Sequence, residues 1–184
     1  MLSAMGYEII SQKEAGLDLN VEETGDTFYE NAYLKAEAAC RLSGLPAIAD
    51  DSGLCVDALG GAPGVHSARY TGDHEDTDED RNSFLLKNME GVEDRRAHFA
   101  CSICCVFPNG DVVRAEENWY GDILYESIGT NGFGYDSVFR PEGMDISSAQ
   151  MEPEEKNKVS HRAKALKIFH EELKNYLEMG KADA

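Results

Sequence analysis

The chain has 184 residues, 42% hydrophobic and 28% charged, with 35 acidic against 17 basic side chains and a formal net charge of −18. That length suits one sizeable core, or at most two lobes sharing one, and no apolar run nears the roughly 18 residues that cross a bilayer. The acidic balance excludes nucleic acid as a partner, because its phosphates are met by clustered Lys and Arg, but leaves room for a small anion escorted by a metal cation. The opening "MLSAMGYEII" has no basic and apolar leader, and the five cysteines are an odd count in mostly apolar surroundings. Both point to a reducing, cytoplasmic setting.

The first element begins at "TFYENAYLKAEAACRLSG". Thr27 and Glu30 have capping-box spacing, the Ala-rich run favours helix, and Gly44 supplies the stop, which predicts a helix over 28–43. "LPAIAD" then reads as a short buried strand ending near Asp50 and Asp51, and "GGAPG" as a tight turn. In the acidic run "DHEDTDED" (73–80), Thr77 and Asp80 again have cap spacing ahead of "RNSFLLKNM", so the run reads as a solvated first helical turn. From Ala97 the period changes to two, with Ala97, Phe99, Cys101, Ile103 and Cys105 on one face. "FPNGDVV" supplies an Asn-Gly hairpin turn into a second strand reaching about Trp119. The last element is an amphipathic helix capped by Ser160, with apolar positions at 166, 169, 173 and 176/177. The fold class is therefore α/β with a mixed sheet, in a single domain.

Four stretches carry candidate chemistry. "CSICC" has Cys-x-x-Cys spacing, but inside an alternating strand without a second ligand pair it reads as core rather than zinc. Asp50 and Asp51 are neighbours on a strand and point to opposite faces, so one acts and the other supports. A carboxylate followed by "SG" suits either a hydrogen-bonded turn or an oxygen ligand to Mg²⁺. "GTNGFGYD" (129–136) combines glycines that admit a ligand with Phe133 and Tyr135, two flat rings for a base; a hairpin loop is the alternative. "EEKNKVSHRAK" gathers Lys156, Lys158, His161, Arg162 and Lys164 at the start of the last helix, as a basic surface face or an anion site.

Four blocks, "EETGDTFYENAYLKA", "LPAIADDSGLCVDALGGAPGVHSARYTG", "GTNGFGYDSVF" and "EEKNKVSHRAKAL", stand in an order and at intervals that closely resemble the inosine/xanthosine triphosphate pyrophosphatases. The resemblance covers Gly6 to Leu177. It implies an elongated mixed sheet flanked by helices, two lobes with a central cleft, and a homodimer. It also implies Mg²⁺-dependent hydrolysis of ITP, dITP and XTP to the monophosphate and pyrophosphate. Carried over by position, Glu23 and Asp51 would be metal ligands, with Asp51 also the proton acceptor for the attacking water. Lys35 would hold phosphate oxygens and Ser52 would contact the substrate. Phe133, Gly134, Tyr135 and Asp136, with Lys156, His161 and Arg162, would enclose the base. His161 and Arg162 would donate to the purine 6-oxygen, with Asp136 orienting one of them. The family's opening apolar strand and "TGNxxK"-type segment have no counterpart here, and the chain is expected to start at the end of the family's first helix. The alternative reading is a weakened or noncatalytic nucleotide-binding or dimerisation module.

Overall fold

The computed structural model describes residues 6–73 and 75–182. The expected end of a helix at the chain's start falls on residues 1–5, outside the described residues, as does His74 of the acidic run. Helix α1 is Phe28–Ser43, strand β1 Ala47–Val56, α2 Asp78–Asn88, β2 Arg96–Val106, β3 Val112–Ile123, β4 Phe139–Pro141, α3 Pro153–Val159 and α4 His161–Ala182. The strands form one sheet in the order β1-β2-β3-β4. The α/β class is thus realised as a four-stranded sheet with helices.

Local signals place the helices. Thr27 accepts from the Glu30 backbone N–H while the Glu30 carboxylate reaches back to the cap, and Gly44 closes α1 with an N–H to Cys40. Thr77 and Asp80 make the same reciprocal pair on α2. The β2–β3 turn is the expected Asn109-Gly110 one, where the Phe107 and Gly110 N–H groups donate to Asp111 and Phe107 carbonyls at 2.9 Å.

Three expectations are corrected. The strand read as ending at Asp50 and Asp51 continues through Ser52 and Gly53 to Val56, and its first half is part-buried rather than buried. The acidic pair does not end it because each carboxylate meets a cation on its own face. β3 runs on to Ile123 because Gly121, Asp122 and Ile123 pair antiparallel with Pro141, Arg140 and Phe139 of β4, a strand too short to read from sequence. The basic cluster is divided, with Lys156 and Lys158 on α3 and His161, Arg162 and Lys164 on α4, because Ser160 between them is extended (φ −65°, ψ 160°).

The chain divides into two compact units: one from the chain up to Asp51, Cys101–Glu117 and the chain from Arg162 on, the other from Ser52–Ala100 and Asn118–His161. In the first unit, alternation along β2 sends Cys101, Ile103 and Cys105 toward Ala165, Phe169 and Leu173 of α4. Cys104 and Val106 go toward Ala32, Ala36 and Cys40 of α1. Every β2 residue from Cys101 on is therefore buried. A fully enclosed side chain such as Phe169 contributes roughly 1.5–3 kcal/mol of apolar transfer. Cys101, Cys104 and Cys105 are buried and serve as core, as their place on an alternating strand suggested. In the second unit Leu85 of α2 and Met89, its C-cap, pack with Leu54, Val56, Phe99, Trp119 and Phe139. Among the described residues no helix is long and apolar enough to cross a membrane.

Candidate active site

In the first unit, Glu23 precedes α1, and Asn31 and Lys35 lie four residues apart on one helical face. Lys35 Nζ donates to Glu23 Oε1 at 2.8 Å and to Asp51 Oδ1 at 3.0 Å. These side chains are 26%, 29% and 11% exposed, dry enough that the pair matters and open enough to admit a ligand. Asn31 is fully buried; its Nδ2 donates to Asp51 Oδ2 at 3.3 Å and its Oδ1 accepts from the Gly25 N–H at 2.8 Å. A Cβ at Gly25 would come within 2.6 Å of Glu30 Cβ and 2.8 Å of Asn31 Oδ1, so the Glu23-bearing segment lies against α1 only because residue 25 is glycine. Burial pushes the Asp51 carboxyl above its ordinary value, with the Lys35 ammonium offsetting part of the shift. Burial pulls the other way on Lys35, but its bonds to Glu23 and Asp51 prevail and hold the ammonium above its usual range.

The site residues expected from sequence for metal and phosphate are thus brought together around one positive charge. The Lys35 ammonium stands where two carboxylates converge. Two hard oxygen donors on one centre match what Mg²⁺ takes from a protein when phosphates and water complete its shell. Among the described residues no cluster of three or more His, Cys, Asp or Glu could form a closed metal cage. Asp50 points the other way along β1, and its Oδ2 accepts from Arg162 Nε at 3.1 Å and Nη2 at 2.7 Å. Ser52 follows Asp51 on β1 and is part-buried.

In the second unit, the loop before β4 presents Phe133, 67% exposed, with Lys156 Nζ 4.9 Å from the ring centroid. Asp136 stands behind it, 3% exposed, where it forms an ion pair with Lys156 and accepts from Ser148 Oγ at 3.0 Å and the Phe133 N–H at 2.9 Å. A side chain at Gly132 would strike the Asp136 carboxylate at 2.1 Å, and its φ of +79° is one only glycine adopts readily. His161, 9% exposed, lies flat on Phe99 (centroids 4.9 Å, 11° between planes) and near Trp119, so its ring plane is fixed by aromatic packing. Two expectations change here. Tyr135 is no stacking platform: it is 3% exposed within the core and its hydroxyl donates to the Ser67 carbonyl at 2.9 Å. Asp136 is enclosed and the cation it pairs with is Lys156, whereas Arg162, one of the two donors it was expected to orient, pairs with Asp50.

Sequence reading missed Asn31, Asp78, Asn82 and Ser148. Asp78 and Asn82 share a helical face by i,i+4 spacing, as do Asn31 and Lys35, and that spacing was the signal available. Gly134 supplies backbone only: its N–H donates to Asp78 Oδ2 at 2.5 Å and its carbonyl accepts from Asn82 Nδ2 at 3.0 Å.

Residues 1–172 match the Ham1 family. The dITP/XTP pyrophosphatase of Bacillus licheniformis is 48% identical over 169 residues, covering 91% of this chain and 86% of that protein. The dITP/XTP pyrophosphatase of Escherichia coli O157:H7 is 45% identical over 179 residues, 95% of this chain and 90% of that protein. The solved structure of the Staphylococcus aureus Ham1 protein superposes with a TM-score of 0.88 at 40% identity, over 94% of this chain and 89% of that one. This chain belongs to the Ham1 family.

Proposed function

We propose that the chain hydrolyses nonstandard purine nucleoside triphosphates, namely ITP, dITP and XTP, to the monophosphate and pyrophosphate with Mg²⁺. The observation that carries this reading is the convergence of Glu23 and Asp51 on Lys35 Nζ at 2.8 and 3.0 Å, in a chain whose relatives bear the name dITP/XTP pyrophosphatase.

Glu23 and Asp51 are the carboxylates to hold the ion, which when bound neutralises triphosphate charge and polarises the attacked phosphorus. Lys35 would hold phosphate oxygens with its ammonium. Asp51 accepts the proton of the attacking water. The water oxygen bonds to phosphorus, the bridging bond between α- and β-phosphates breaks, and pyrophosphate leaves with its electron pair. Ser52 contacts the substrate, Phe133 stacks on the base, and Lys156, His161 and Arg162 supply its donors. A 6-oxygen satisfies such donors, whereas the amino group of adenine leaves them unpaired, and that costs more than a lost apolar contact. A cytoplasmic homodimer completes the reading on the strength of the resemblance.

Steady-state pyrophosphate release from dITP, XTP and ATP, with and without Mg²⁺, tests the proposal. Metal-dependent turnover favouring dITP and XTP supports it; absence of release from any of them sinks it. The noncatalytic alternative has less behind it, because the relatives that carry enzyme names are matched over 86% and 90% of their own lengths.

A further inference from the structure

The exposed ring of Phe133 needs a reason to stay in one place, and that reason lies outside its own loop. Asp78 and Asn82, one turn apart at the start of α2, grip the peptide groups of Gly134 from both sides. The Gly134 N–H donates to Asp78 Oδ2 at 2.5 Å, and Asn82 Nδ2 donates to the Gly134 carbonyl at 3.0 Å and to Ser137 Oγ at 3.1 Å. Thr77 and Asp80 complete the capping box of α2 without either of them, and the second oxygen of Asp78 pairs with Arg81 of the same helix. Asn82 is 5% exposed, and its Oδ1 is buried without a hydrogen bond to any described residue. A buried amide half left unsatisfied costs stability, so an apolar residue of similar size would suit the helix better. What Asn82 gives in return is the loop. On its other side Phe133 is tied to Asp136 through its own N–H.

We infer that Asp78 and Asn82 are positioning residues that set the plane of the Phe133 ring and thereby the selectivity between purine bases. The inference rests on the proposed function, in which Phe133 stacks on the base. Stacking alone is blind to base identity, because every base has a flat face. Hydrogen bonds from fixed donors are not blind, and they form only when the base lies in the right plane. Loosening the platform therefore harms the substrate that makes those bonds more than one that does not.

The test uses Asn82→Leu, Asp78→Ala and Asp78→Asn in the full chain, with kcat and KM for dITP and dATP and the affinity for dIMP by titration calorimetry. In the first two variants KM for dITP and Kd for dIMP should rise about tenfold with kcat changing far less, and the dITP-to-dATP ratio of kcat/KM should fall about fivefold. Asp78→Asn keeps an oxygen for the Gly134 N–H and should restore most of the loss. An unchanged ratio and dIMP affinity, or kcat and Tm falling together at constant KM for both nucleotides, overturns the inference. Should Asn82→Leu fail to fold, Asp78→Ala, at a half-exposed site, decides alone. A wild-type chain that binds dIMP but hydrolyses nothing sinks the proposed reaction only; one that does not bind dIMP sinks both.

Discussion

Two lysines define the contrast between the units. Lys35 is shared between two part-exposed carboxylates that converge on it from separate segments, while Lys156 is bound to one enclosed carboxylate that also receives a hydroxyl and a backbone N–H. The first arrangement is a part-exposed ion cluster built around one ammonium. The second is a scaffold: Asp136 has its oxygens occupied by protein donors, so Lys156 and Phe133 are held in a preset geometry. Under the proposed function, a charged, metal-bound tail and a flat, neutral ring would call for those two kinds of order.

The largest disturbance of that contrast is Asp51→Asn. Loss of a general base lowers kcat by about 10²–10⁴-fold in pyrophosphate release, while Tm holds or rises because a buried charge is removed. Undiminished turnover would reject the role given to Asp51. Next comes Lys35→Met, which removes the cation that Glu23 and Asp51 share. Chemical denaturation should show a cost of about 1–3 kcal/mol, discounted for the partial exposure of the cluster, and adding Glu23→Gln should recover part of it. If Lys35→Met alone costs nothing, the ion cluster does not hold its unit together. Phe133→Ala tests the scaffold side: KM for dITP should rise about fivefold to tenfold with little loss of stability, from stacking worth about 1–3 kcal/mol per base.

The smallest effect concerns the thiols. Burial pushes Cys104 and Cys55 up to about 11 and Cys105 up to about 12. Raised values in the folded chain mean that it binds more protons than the unfolded chain above the unfolded thiol value of about 8.5, so stability is full below that pH and declines as pH climbs toward 11–12. Denaturation midpoints across pH 7–10 should stay level to about pH 8 and then fall. At pH 8 a disulfide reagent should react slowly with the native chain and with five thiols per chain in denaturant.

Much of the fold was legible because its signals are local. The Thr27/Glu30 and Thr77/Asp80 caps, the Gly44 stop, the Asn109-Gly110 turn and the alternation from Ala97 all act within a few residues. What stayed hidden depends on distant partners. β1 looked finished at its aspartates because Lys35 and Arg162, 16 and 112 residues away, are invisible to a local reading. β4 has three residues, one of them proline, and exists through its pairing with β3. In the site, Glu23, Lys35 and Asp51 were read from a resemblance and found together. Tyr135 was read as an exposed ring because nothing in "GTNGFGYD" tells which aromatic turns inward; the core behind the loop decides that. Asn31 and Asn82 look like ordinary helical asparagines until the backbone each one holds is seen.

Asp50 and Asp51 are consecutive, and each answers to a different cation on a different side of β1. Substituting a neighbour leaves that division of labour intact, but adding or deleting one residue anywhere between Ala47 and Asp50 turns both carboxylates around, aiming Asp51 to the side of Arg162 and Asp50 to the side of Lys35. Residues 47–49 can therefore drift in spelling but not in length.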